Sequence, residues 1–148
     1  MDVLFKIIYW DVINMKKILF IILTVIFVAC GCAKTPASTT DIIVEHYKTI
    51  CKTNDTSVIR NEIAELDKLT KDESINEKER MFAQYTYNIG YGVAKLSLSG
   101  KAISVFDFPE MEILSGTIGA IATGELEIEN VMIDESLKFV QKVEKFIQ

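Results

Sequence analysis

A histidine and a cysteine five positions apart, His46 and Cys51, are the first residues that could do chemistry. Both are metal-ligating side chains, so together they could contribute to a shared site. His46 is the only histidine, however, and neither His nor Glu follows it at the spacing of an H-E-x-x-H zinc motif. We therefore predict no metal ion and no cofactor, with Cys51 in the core and His46 at the surface or its rim.

An acidic cluster near the C-terminus offers a second kind of chemistry, because clustered carboxylates bind calcium. Its members are Glu125, Glu127, Glu129, Asp134 and Glu135. The cluster lacks the D-x-D-x-D-G order that wraps a loop around the ion, so we interpret it as a solvated acidic surface. A carboxylate pair for glycoside hydrolysis stays open as an alternative, although nothing in the sequence selects a pair.

Tyrosines are the third candidates, because tyrosine is enriched at protein interfaces. Tyr85, Tyr87 and Tyr91 lie on one predicted helix, and Tyr85 falls on its apolar stripe. Tyr87 and Tyr91 are therefore the predicted binding face, with a second packing face of a central helix as the alternative. No G-x-S-x-G motif, phosphate loop or dinucleotide fingerprint occurs in the chain.

The N-terminal region has the pattern of a secretory signal. Lys16 and Lys17 precede an apolar run at residues 18–29, which ends in small residues. The run is shorter than the roughly 20 residues that span a bilayer comfortably, and an uncleaved membrane anchor is the alternative. Residues 1–14 are interpreted as a mis-called extension, with Met15 as the natural start.

The end of this run carries a more specific signal. Phe27, Val28, Ala29 and Cys30 form a sequence that resembles the lipobox of bacterial lipoproteins. The resemblance covers residues 15–32 and implies diacylglycerol on the cysteine sulfur, cleavage just before that cysteine and an acylated N-terminus. Cys30 is the predicted attachment residue because the apolar run ends directly against Ala29, and Cys32 is the alternative.

Charge and length limit the remainder of the chain. From residue 30 onward there are 13 basic and 19 acidic residues, a net charge of −6. This balance argues against nucleic acid as a partner and against electrostatic attraction to anionic headgroups, so the acyl chains must supply membrane attachment. We divide the sequence into a signal peptide (1–29), a lipidated tether (30–40) and one helical domain (41–148).

Helical periodicity and capping residues predict an all-α fold, a small antiparallel bundle of four to five helices. The predicted helices end near residues 52, 71, 97, 123 and 147, with Gly100 suited to a left-handed cap after the third and Asp134 capping the last. The predicted apolar stripe of the third helix consists of Phe82, Tyr85, Ile89, Val93 and Leu96. The third, opened by a capping box of Ser74 and Glu77, is expected to be central and packed on two sides. Gly90 and Gly92 within it indicate either tight packing or a kink.

These features predict an extracytoplasmic, lipid-anchored lipoprotein of the cell membrane. With an anchor and no catalytic motif, the leading hypothesis is a non-enzymatic domain that binds a protein or another envelope component. An envelope hydrolase with an acidic active site is one alternative. A small-ligand carrier that uses the space between the third and fourth helices is another.

Overall fold

The computed structural model describes residues 37–104 and 106–148, and this part of the chain contains five α-helices and no strand. The helices are α1 (Thr39–Lys52), α2 (Thr56–Lys71), α3 (Glu77–Leu98), α4 (Glu110–Ala122) and α5 (Ile133–Ile147), with a 3₁₀ turn at Ile128–Asn130. The predicted all-α bundle is confirmed. No helix within the described ranges has both the length and the apolar character to cross a membrane.

Side-chain caps explain where the first two helices begin. Ser38 and Asp41 form a reciprocal capping box at the start of α1, and Asp55 accepts hydrogen bonds from the backbone N–H groups of Ser57 and Val58 at the start of α2. Such bonds satisfy amide groups that have no partner inside the helix. Hydrogen bonds from Ser38 and from Ser57 favour the ionised carboxylates and lower the pKa of Asp41 and of Asp55.

The predicted capping box of the third helix is wrong by two residues. Asn76 is the N-cap of α3, and Glu79 completes the box. Ser74 is instead held by Asp72, whose Oδ1 accepts from the Ser74 backbone N–H at 2.8 Å and from its hydroxyl at 2.6 Å. Ser74 thus belongs to a turn that precedes the helix, and α3 begins at Glu77, two residues later than a Ser74 cap would have started it.

The start of the last helix also differs from the one predicted from the sequence. α5 begins at Ile133, so Asp134 lies in the first turn and is not the predicted cap. A carboxylate in this turn still interacts favourably with the positive end of the helix dipole. At the other ends, Gly100 (φ 68°) and Gly124 (φ 75°) adopt the left-handed conformation just beyond α3 and α4, as predicted for Gly100.

α3 lies at the centre of the bundle, with α1 and α2 on one side and α5 on the other. A Cβ atom added at Gly90 would lie 3.1 Å from Cδ1 of Ile50 in α1, and one added at Gly92 would overlap the ring of Phe139 in α5. The two glycines therefore mark tight packing on two sides, which confirms that part of the sequence interpretation. The predicted apolar stripe of α3 is buried throughout: Phe82, Tyr85, Ile89, Val93 and Leu96.

Buried polar groups tie α3 to its neighbours. The Asn88 amide nitrogen donates to the Ser136 hydroxyl of α5 at 2.9 Å, and the Tyr85 hydroxyl donates to the Leu114 carbonyl of α4 at 3.0 Å. Within the described residues, the buried Thr86 hydroxyl has no hydrogen-bond partner. Paired groups of this kind fix the orientation of helices, whereas an unpaired hydroxyl costs stability.

Candidate binding groove

The predicted lipid-attachment residues lie outside the described part of the chain. This applies to Cys30, to its alternative Cys32, and to the whole predicted signal peptide at residues 1–29. The described chain starts at residue 37, one residue before the Ser38 cap of α1. Lipid attachment therefore stays a prediction from the sequence.

His46 and Cys51 lie on α1 but point to different environments. The His46 Nδ1 atom is 2.5 Å from Oε2 of Glu62 on α2, and both side chains are 22 % exposed. Cys51 packs against the hydrophobic core, where burial raises the pKa of its thiol to about 12. Among the described residues, no group of three or more His, Cys, Asp and Glu side chains could hold a metal ion.

The acidic cluster is spread over an exposed surface from the end of α4 to the first turn of α5. All five of its carboxylate side chains are exposed. Glu129 pairs with Lys78 of α3, and this hydrogen bond lowers the pKa of Glu129. Glu135 pairs with Lys138 at 2.6 Å. The placement matches a solvated acidic surface whose carboxylates are partly neutralised by lysines.

The two tyrosines of the predicted binding face lie on the side of α3 that faces α2. The rings of Tyr87 and Tyr91 are stacked, with centroids 6.0 Å apart and planes inclined by 24°. Tyr87 packs against the core, and burial raises the pKa of its hydroxyl. Tyr91 is half-buried and lines a surface groove. The pair therefore combines a packing residue with a residue that is accessible to a partner.

This groove, of about 540 Å³, runs between α2 and α3 and is closed at one end by the last residue of α5. Its floor and walls are mainly aliphatic, and Leu98 at its edge is 44 % exposed. The space differs from the one proposed from sequence between the third and fourth helices. The lining residues are Ile59, Arg60, Ile63, Tyr91, Ala94, Lys95, Leu98, Ser99 and Ile147.

Among the described residues, the groove carries two cations and no lining carboxylate. Arg60 stands on the α2 wall and Lys95 on the α3 wall, and no acidic residue is among those that line the groove. Neither cation forms an ion pair with another described residue. The Lys95 ammonium lies 5.3 Å from the centroid of the Tyr91 ring, a cation–π distance that still leaves its N–H donors available.

Sequence reasoning identified Tyr91 but missed the two cations beside it. The sequence offers only a weak signal, since neither Arg60 nor Lys95 has Asp or Glu three or four residues away on its own helix. Lys78 and Lys142 also lack such a neighbour, and both pair with distant carboxylates of this chain. Spacing alone therefore does not single out the two groove cations.

Comparisons with models of known protein families, with curated proteins and with solved structures find no match to this chain. Function must therefore be inferred from the chemistry and geometry of the site itself.

Proposed function

We propose that the chain is a lipid-anchored lipoprotein of the cell envelope whose helical domain binds a partner without catalysing a reaction. The observation that carries the proposal is the groove between α2 and α3, with Tyr91 on its wall and two cations that form no ion pair with any described residue, beside apolar side chains. Aromatic residues and arginine are enriched at protein interfaces, and the groove presents both. The proposed partner is a protein or another envelope component that fills this groove.

The anchoring half of the proposal is supported by sequence. Two lysines, an apolar run, a small residue and a cysteine occur in the order of a lipoprotein signal, ending at Cys30. The acidic domain would be repelled by anionic headgroups, so two or three acyl chains would supply the attachment. α1 begins at Thr39, and nine residues of extended chain reach at most about 30 Å. The domain would therefore act close to the membrane.

Lipid attachment is tested by incorporation of radiolabelled fatty acid and by intact mass, for the wild type and for Cys30→Ala, Cys32→Ala and Cys51→Ala. We expect Cys30→Ala to abolish label and the lipid mass increment, while Cys32→Ala and the matched control Cys51→Ala retain both. Retention of lipid in both Cys30→Ala and Cys32→Ala would show that the anchor has been assigned wrongly.

Binding at the groove is tested by a photoreactive phenylalanine analogue placed at Leu98 in living cells. Leu137 of α5 is a matched control, because the two leucines are 44 % and 42 % exposed and Leu137 does not line the groove. We expect a discrete cross-linked product from position 98 and none from position 137. Equal products from both positions, or no product from position 98, would contradict the proposal.

A further inference from the structure

The charge and shape of the groove specify the kind of partner. Building on the proposed binding function, we propose that the groove takes an acidic amphipathic helix from a partner protein. The apolar face of that helix would lie against Ile63, Leu98 and Ile147, and its carboxylates would interact with Arg60 and Lys95.

Charge complementarity is the first argument. The chain from residue 30 onward carries a net charge of −6, yet the groove presents Arg60 and Lys95 and is lined by no carboxylate. Charges farther away than the Debye length of about 8 Å are largely screened at physiological ionic strength. A ligand in the groove therefore experiences a local positive field, and a partner that carries carboxylates at this point is favoured over a neutral or basic one.

Shape is the second argument, because the site is a trough open to solvent. Tyr91 and Leu98 are seven residues apart on one wall, which corresponds to about 10 Å or two helical turns. A peptide helix packs its apolar ridge into such a trough and keeps its polar face in water. An acyl chain has no polar face, so in the same trough one side of it would stay exposed and lose the burial that drives lipid binding.

Position in the chain is the third argument. α1 runs from Thr39, next to the tether, to Lys52, and only residues 53–55 separate it from α2. α2 runs back along α1, so Ile59 and Arg60 on its first two turns lie roughly 14 Å along the helix axis from the start of α1. The groove is therefore nearer to the end of α1 that is remote from the tether, which leaves it open to a protein partner.

The inference is tested with the full lipidated chain in phosphatidylcholine nanodiscs and a fluorescent stapled peptide of about 14 residues, long enough for a stable helix once stapled. The probe has leucines along one face and glutamates flanking them, and matched peptides replace every glutamate with Gln or Lys. Two exposed ion pairs together change Kd by about tenfold. We expect the Glu peptide to bind about tenfold more tightly than the Gln peptide, and the Lys peptide most weakly.

Charge reversal of the groove locates the interaction. The double variant Arg60→Glu/Lys95→Glu should invert the order of the three peptides, so that the Lys peptide binds best. Lys68→Glu/Lys138→Glu is the control, because it changes the net charge equally at two exposed positions that do not line the groove. The control should keep the wild-type order. Circular dichroism of each variant checks that the helical fold is retained.

Several outcomes would overturn the inference. They are equal binding of the three peptides, no binding of the Glu peptide at about 1 mM, and unchanged binding in the groove variant. The groove would be assigned to lipid if dodecanoate displaced the Glu peptide and bound more tightly than the peptide does. If position 98 still cross-links a partner in cells while the peptides show no charge preference, the acidic helix is wrong and the proposed binding function stands. Without that cross-link, the binding function itself fails.

Discussion

The close approach of α3 and α5 at Gly92 makes a quantitative prediction about stability. Replacing Gly with Ala inside a helix gains about 1 kcal/mol of helix propensity. At Gly92, however, the new Cβ would overlap the ring of Phe139, which is 1 % exposed. That ring cannot easily move, because it packs edge-on against Phe108 with centroids 5.9 Å apart. Overpacking of this kind costs about 3 kcal/mol at the upper end of its range.

We therefore expect Gly92→Ala to lower the free energy of unfolding by about 2 kcal/mol, the difference between the overpacking cost and the propensity gain. Gly116→Ala is the matched control, since Gly116 is inside α4 and a Cβ there would meet nothing within 4 Å. The control should be stabilised by about 1 kcal/mol. Urea denaturation of the full chain in mild detergent, followed by far-ultraviolet circular dichroism, measures both.

A double-mutant cycle identifies the cause of the loss. In a Phe139→Leu background the aromatic ring is absent, so Gly92→Ala should become neutral or stabilising, with a coupling energy of about 2 kcal/mol between the two sites. The reasoning would be refuted if Gly92→Ala were as stable as Gly116→Ala, or if the coupling energy were zero. Either result would mean that α5 does not pack on this face of α3.

Three further predictions concern individual side chains. Thr86→Val should raise the free energy of unfolding by about 1 kcal/mol, because it removes a buried hydroxyl that has no partner in the described structure; a loss of stability would contradict this. Ionisation of the Cys51 thiol is suppressed by folding, with a pKa of about 12 against a usual value of 9.0. The contribution of the buried thiol to stability is therefore fully present below pH 9.0 and is lost as the pH rises above it. The free energy of unfolding should fall by about 1 kcal/mol between about pH 8 and about pH 10, and Cys51→Ala should flatten this part of a profile of stability against pH. His46→Ala and Glu62→Ala should each cost about 1 kcal/mol, with a coupling energy of about 0.5 kcal/mol in a double-mutant cycle, because the pair joins α1 to α2; purely additive losses would show that the contact contributes nothing.

The helices could be predicted from the sequence because their determinants are local. Apolar periodicity and capping residues act within three or four positions, and the ends of α1 and α2 fall at Lys52 and Lys71 as expected. The third helix shows a case in which two local signals compete. Ser74 with Glu77, and Asn76 with Glu79, are two overlapping capping boxes of equal quality in the sequence. The choice between them depends on the turn that Asp72 forms with Ser74.

The groove could be predicted only in part, because its walls come from distant segments. Tyr91 was identified from residue type and helical position alone. Ile147 lies 56 residues further along the chain, and its place at the end of the groove depends on how α5 packs against α3. The charge of the site was also hidden, since Arg60 and Lys95 meet across the groove only after α2 has folded back on α3. Tertiary packing thus decides the site, whereas local sequence decides the helices that build it.

Gly90 lies where the hydrophobic core adjoins the groove wall, so a substitution there bears on both stability and the proposed binding. A Cβ at Gly90 would lie 3.1 Å from Ile50 of α1 and 3.7 Å from Ile63 of α2. Ile63 is also part of the groove wall, and the next residue on α3, Tyr91, forms the opposite wall. The missing side chain at Gly90 therefore sets how closely α1 approaches α3, whereas an added Cβ would meet Ile63 at an ordinary van der Waals distance. A side chain longer than that of alanine would press on Ile63 as well as on α1, so the same position constrains the core and, for larger residues, the groove wall.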